Sequence, residues 1–294
     1  MTRYKGINAL YKPLSTSPSK SFDGASSPQE IRILPAVIGI LKGAKFRAHV
    51  VEDFGPRVVM GEALWNNPSV DYDRKQPSRH SRRYLEQSID HPEIYAHMPP
   101  GPYKDVEEFE AKYIQGTVYS DKTKTVFAII DRTKAGLEED GGALAGIVSY
   151  TNASVANQLL EIAFLVVLPA FQRTHVTTHA VGLLLQYALD APDCNDPQKG
   201  GLGLRKVLWQ TGTTNAASRA TAKKMGFEQE GILRWDRVYY DAVPMKKESN
   251  GRRMPEHGDE RHLGRDTVFF GLCWDEWHDG KKQMVQQRME HFLQ

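Results

Sequence analysis

Glu161 is the only charged residue in the apolar run Leu159 to Leu168. A carboxyl drawn into apolar surroundings has its pKa raised toward the range in which it can take a proton from a substrate. The other reading of Glu161 is a carboxylate at a strand mouth, satisfied by hydrogen bonds or holding a substrate's cation. Pro169 ends the run, and the polar residues Gln172-Arg173-Thr174 precede a helical pattern. A strand feeding a helix through such a loop offers unpaired first-turn N–H groups and partial positive charge, which together suit a phosphate-like anion. An ordinary strand–helix connection has the same outline.

These residues need a strand, a loop and a helix behind them. Val176, Ala180, Leu183, Leu184, Tyr187 and Ala188 fall at the spacing of one buried helical face. Upstream, residues 44–51 alternate as a half-buried strand, and Pro56 to Trp65 reads as a short helix. Residues 68–97 are polar and basic, which suggests a solvated insertion or a basic patch. Asp105 caps an expected helix running to Tyr119. Thr125 to Ile130 and Ala143 to Tyr150 read as a hairpin.

Beyond the central helix, the GGLGL run precedes a strand at Leu204 to Gln210, the reverse of the order a dinucleotide fingerprint requires. A helix at Asn215 to Met225 stops at Gly226, with Phe227 packing back. Strands follow at Gly231 to Tyr240 and Asp266 to Leu272, separated by a charged insertion at 241–265. His257, Asp259, Glu260 and His262 lie in that insertion; without a helical face to array them they read as a solvated loop, and no metal is expected. Trp274 to Phe292 reads as a surface helix. The order of elements is that of an α/β chain with an antiparallel front half and a central strand–helix–strand crossover that sets two strands parallel.

At 294 residues and 40% hydrophobic, the chain can bury a full core. The 38 Lys and Arg against 36 Asp and Glu leave a net charge of +2, without the basic excess of a dedicated nucleic-acid binder. Two cysteines, Cys194 and Cys273, make no disulfide framework, and no segment has the apolar length of a membrane span, so a cytoplasmic setting is expected.

EIAFLVVLPAFQRT, the later TTNAASRATAKKMGFEQEGILR and the late RDTVFFGLCWDEW resemble, in that order, the GCN5-related N-acetyltransferase (GNAT) superfamily. The likeness is strongest to its branch of ribosomal-protein N-terminal and small-amine acetyltransferases, and it covers about Lys42 to Trp277. It implies a mixed, mostly antiparallel α/β (α+β) sheet with helices on both faces. It also implies one domain over 42–277, after an N-terminal extension at 1–41 and before a helical tail at 278–294.

The resemblance implies acetyl-CoA as donor, with the pantetheine arm along Leu165, Val166 and Val167 and the pyrophosphate on Gln172, Arg173, Thr174, His175, Val176 and Thr177. Where the family places small residues, His175 and Thr177 stand here. A late-helix Tyr is the usual acid, but Ala222 occupies that position. In the branch, an Asn and a Ser three residues later serve near the thiol, and Asn215 and Ser218 fit; the alternative is that they simply cap and open a helix. Glu161 is then the candidate base, and a backbone N–H near Val166 or Val167 the group polarising the thioester. Met98 to Tyr103 and Trp209 are candidates to line the acceptor pocket.

The expected reaction is direct attack on acetyl-CoA by a primary amine of a small molecule in a ternary complex. A peptide N-terminus as acceptor, and a CoA-binding module without catalysis, are the alternatives. No nucleic acid or membrane partner is expected, and the state is monomer or homodimer.

Overall fold

A computed structural model describes residues 58–60, 79–136, 142–192 and 200–291. The 1–41 extension, the strand expected at 44–51 and Cys194 lie outside them.

Seven strands form one sheet in the order β1-β2-β3-β4-β5-β7-β6. They are β1 (Val58–Met60), β2 (Thr125–Asp131), β3 (Ala143–Ser154), β4 (Leu159–Val167), β5 (Lys206–Gly212), β6 (Glu228–Tyr239) and β7 (Leu263–Cys273). Every neighbouring pair is antiparallel except β4 and β5. The exception follows from connectivity, because a helix separates those two strands in sequence and a crossover returns the chain in the same direction. The expected β2–β3 hairpin and mixed sheet are both present.

Several expectations give way. The helix placed over Pro56 to Trp65 is contradicted at its centre, where Val58–Met60 pairs with β2 as an edge strand. Three β-compatible residues beside an open sheet edge gain ladder hydrogen bonds that a short isolated helix lacks. Within the supposed insertion at 68–97, helix α1 (Arg79–Ser88) buries Tyr84 and Leu85, and the 3-10 turn Pro92–Tyr95 buries Tyr95. The charged residues of α1 hid that apolar face.

Helix α2 (Val106–Phe109) begins as expected at Asp105, whose carboxylate accepts the Glu108 N–H at 2.7 Å, and continues as a π-helix over Glu110–Tyr119. Its rings join a continuous aromatic chain: Tyr84 to Phe109 at 5.3 Å, Phe109 to Tyr113 at 5.5 Å, and Tyr113 to Phe164 on β4 at 5.7 Å between centroids. Part of the segment expected as a solvated insertion or basic patch is therefore linked to the central strand through this row of rings.

Helix α3 (Val176–Leu189) buries the expected Val176, Ala180, Leu184 and Ala188, and also Val181 and Leu185. Two covered faces need a second cover, which helix α5 (Lys282–Glu290) supplies: His179 Nε2 meets Met289 O at 2.8 Å. The surface helix expected at Trp274 to Phe292 is corrected accordingly, with Trp277 and Val285 fully buried and the Trp277 indole donating to Asp190 at 2.8 Å. Helix α4 (Ala216–Lys224) ends as its sequence predicts. Gly226 turns at φ +89°, and the Phe227 N–H reaches Ala222 O at 3.0 Å.

Candidate active site

The parallel pairing of β4 and β5 lasts only from Leu159 to Glu161 against Lys206 to Leu208. Beyond Glu161 the strands part. The cause lies on the other side of β4, where the register with β3 shifts between Ile147/Val166 and Ser149/Ala163. Phe164 sits in that bulge at φ +50°, an unfavourable conformation for a bulky residue, with its ring held edge-on by Tyr113. The bulge bends β4 away from β5, and a cavity of about 350 Å³ opens in the gap.

The gap strips β4 of partners on one side. Leu168 N–H donates to Ala145 O on β3, and Val166 O crowds Gly146 of the same strand. Polar groups alternate sides along a strand, so the N–H and C=O of Val167 face the gap. The Val167 carbonyl accordingly accepts from Gln172 Nε2, which lines the gap, at 3.0 Å.

Glu161 stands at the fork, buried to 5% exposure. Its Oε2 accepts from Asn152 Nδ2 at 2.6 Å and from Gln210 Nε2 at 3.1 Å. Asn152 reaches it from an irregular point of β3 at φ 52°, a left-handed conformation which Asn tolerates. Gln210 is itself oriented by Arg237 Nη2, which donates to its Oε1 at 3.1 Å. Burial pushes the Glu161 carboxyl above its ordinary value, while the Asn152 hydrogen bond and the nearby Arg237 and Arg265 pull the other way. The result is a fixed carboxyl with affinity for a proton and access to a cavity.

Across the gap, the Trp209 indole N–H donates to Ser218 Oγ at 2.9 Å. With its oxygen engaged as acceptor, the hydroxyl proton remains to be donated. Asn215 Oδ1 accepts the Ser218 N–H at 3.0 Å, so Asn215 caps α4. Trp209 both lines the cavity and packs in the core, 5.6 Å from Phe227 between ring centroids.

Of the residues singled out from sequence, Glu161, Leu165, Val166, Val167, Gln172, Thr177, Asn215 and Ser218 line this one cavity. Arg173, Thr174, His175 and Val176 are not on its wall. Arg173 bends the loop at φ 60°; Thr174 Oγ1 donates to Phe171 O at 2.6 Å and accepts the Val176 N–H at 3.3 Å. Val176 is fully buried. His175 turns inward, its Nε2 3.2 Å from Oδ1 of the buried Asp131, so its bulk does not cover the outer face of the loop. Its side chain makes no cap, and beyond the Val176 N–H taken by Thr174 the next first-turn N–H groups of α3 remain for an anion.

Asn152, Gln210, Arg237, Arg265 and His97 also line the cavity and had not been singled out. Gln210 was legible in principle, two residues past Glu161's pairing partner Leu208 and so on the same face of β5. Met98 and Pro99 line the cavity, while Tyr103 is in the core. Their loop is held by Lys247, from the supposed insertion at 241–265, which donates to Tyr95 O, Met98 O and Pro100 O at 2.9, 2.8 and 3.1 Å. In that insertion Asp259 pairs with Arg261 at 2.7 Å, and His262 Nδ1 accepts the Asp241 N–H at 3.1 Å.

A bulged strand parting from its parallel neighbour, with a loop and helix N-terminus at the end of the gap, is a fold that comparison can test. The family model described as an acetyltransferase (GNAT) domain matches residues 76–228, slightly more than half the chain. The protein belongs to this family and is an N-acetyltransferase by that membership.

Solved structures agree in fold. A GCN5-related N-acetyltransferase from Brucella melitensis is 24% identical, with a TM-score of 0.54 over 73% of this chain and 79% of that one. A probable GNAT-family acetyltransferase from Chromobacterium violaceum is 23% identical, with a TM-score of 0.52 over 76% and 92%. Mycobacterium smegmatis RimJ, solved in complex with CoA-disulfide, is 15% identical, with a TM-score of 0.50 over 72% and 87%. No curated protein sequence matches the chain. Among the described residues, no helix is long and apolar enough to cross a membrane.

Proposed function

We propose that this protein transfers the acetyl group of acetyl-CoA to a primary amine of a small molecule by direct attack within the gap between β4 and β5. The observation that carries this reading is Glu161 at the fork, buried, fixed by Asn152 and Gln210, and opposite Ser218 across one cavity.

The donor fits the residues present. An extended pantetheine arm can pair with the gap-facing C=O of Val167, provided the Gln172 amide moves off that carbonyl, which leaves the Val167 N–H for the thioester oxygen. The pyrophosphate is read by the α3 first-turn N–H groups around Thr177, with Arg173 adding charge from the loop. His175 is turned toward Asp131, so among the departures from the small-residue pattern only Thr177 narrows the cavity itself.

Acetyl-CoA supplies an acetyl thioester; this chain's residues manage protons and charge. Glu161 takes a proton from the acceptor's ammonium, and its raised pKa reduces the cost of that transfer. The freed nitrogen forms a bond to the carbonyl carbon, whose oxygen gains charge and is stabilised by the Val167 N–H. As the C–S bond breaks, Ser218 passes its proton to the sulfur and recovers the one released by the attacking nitrogen. Trp209 keeps Ser218 oriented for that exchange.

The acceptor end is lined by Ile94, Met98 and Pro99, with Lys247 fixing their loop, and a rigid apolar wall there suits a compact amine. Thiol release from acetyl-CoA against a panel of small amines and short peptides tests the reading. Amine-dependent release with small acceptors is expected. Binding of acetyl-CoA without release under any acceptor would sink it.

A further inference from the structure

Arg265 is 7% exposed and lies on the wall of the cavity that Glu161 also lines. A buried guanidinium ordinarily meets a carboxylate, because an uncompensated buried charge is costly. Here Nη1 donates to the Tyr239 hydroxyl at 2.9 Å and Nε has no acceptor. Among the described residues no carboxylate closes an ion pair with Arg265, and Asp266, its neighbour in sequence, is engaged by Arg252 at 3.1 Å.

Glu161 is not its partner either. Its Oε2 is held by the neutral amides of Asn152 and Gln210, and Arg265 acts on it only electrostatically. His97, also on the wall, has its pKa lowered by burial, with Glu248 opposing and Arg265 adding to the effect. Arg237, held by Asp236 and Gln210, adds a second guanidinium nearby. Asp236 already answers Arg237, so at the acceptor end Arg265 is the arginine left without a carboxylate, and the Glu161 carboxylate nearby is required for the proton. An acceptor carrying only positive charge leaves Arg265 uncompensated, whereas one with an anionic group close to its amine completes Arg265 and sets its nitrogen beside Glu161.

We propose that the acceptor is an amine bearing a carboxylate close by, an amino acid rather than a polyamine, and that Arg265 binds that carboxylate. This rests on the acetyltransferase reading above. The test is thiol release from acetyl-CoA with each common amino acid paired with its own amide, alongside spermidine and 2-aminoethylphosphonate.

At least one amino acid is expected to exceed its amide in kcat/KM by about tenfold to a hundredfold, the worth of a charged hydrogen bond. Arg265→Gln collapses that ratio through KM for the acid. Arg265→Lys keeps a buried charge if the first variant fails to fold, and leaves a weaker preference of the same sign. The proposal is overturned if amides or spermidine react as fast as the acids, if 2-aminoethylphosphonate outruns every carboxylate, or if the folded variants leave the ratio intact. Release with uncharged acceptors alone overturns this inference and spares the acetyltransferase reading, while no release with any acceptor overturns both.

Discussion

Replacing Glu161 by Gln separates the proposed base from a merely structural carboxylate. The substitution is nearly isosteric, and a Gln carbonyl at the Oε2 position still accepts from Asn152 and Gln210. General-base catalysis by a positioned group contributes about 10² to 10⁴ in rate, so kcat is expected to fall by about 10² or more at neutral pH. The loss narrows at high pH, where the acceptor deprotonates unaided. Wild-type kcat/KM falls on the acid side as Glu161 protonates, with the limb above the ordinary glutamate range because burial raises its pKa. The variant lacks that limb.

Stability moves the other way. A carboxyl with a raised folded-state pKa adds stability below its unfolded pKa and loses it as pH rises through the folded one, so ionised Glu161 burdens the fold at neutral pH. Glu161→Gln therefore keeps or raises Tm at pH 7 to 8. The assay is thiol release across pH, with melting curves on the same samples. Full turnover in the variant, or a rise in KM with kcat and the acid limb unchanged, would refute the base role and leave Glu161 as a cation-holding group.

Ser218→Ala is expected to lower kcat about tenfold to a hundredfold with little change in the KM for acetyl-CoA; Trp209→Phe, which removes only the orienting N–H, should give a smaller loss of the same kind in steady-state kinetics. Lys247→Met leaves three loop carbonyls without their donor and should cost about 3 kcal/mol by denaturant unfolding, while raising the acceptor KM through Met98 and Pro99. Trp277→Ala should cost about 3 to 5 kcal/mol, a value incompatible with a dispensable tail helix. His175→Ala removes one of the donors around the buried Asp131 and should destabilise by about 1 to 3 kcal/mol, with acetyl-CoA affinity measured by calorimetry falling far less than after Thr177→Trp, which fills the gap.

The departures from the family's small-residue pattern have a structural resolution. A histidine at the helix N-cap would crowd an incoming phosphate if it faced outward. Asp131, at the end of β2, draws it inward, and Thr133 donates to the same Oδ1 with its N–H and hydroxyl at 2.9 and 2.7 Å. The loop thereby keeps its backbone donors on the outer face. Ala222 is fully buried under β5, and the hydroxyl that serves the cavity comes from Ser218, one helical turn earlier.

The sequence by itself determined what short-range periodicity and end signals encode. The apolar run of β4, the α3 stripe, the Asp105 and Asn215 caps and the Gly226 stop are each written within a few residues, because backbone geometry repeats over two or four positions. It also marked Glu161, since one charge in an apolar strand needs no third dimension to be conspicuous. Contacts distant along the chain were decided only in the folded molecule. Lys247 reaches a loop some 150 residues earlier, α5 covers α3, and α1 and α2 brace Phe164 through a row of rings; none of these leaves a local pattern. Whether β4 and β5 stay paired or part was likewise a tertiary matter. It depends on a one-residue bulge at Phe164 that the aromatic chain holds in place, and that parting opens the cavity in which Glu161, Ser218 and Arg265 meet.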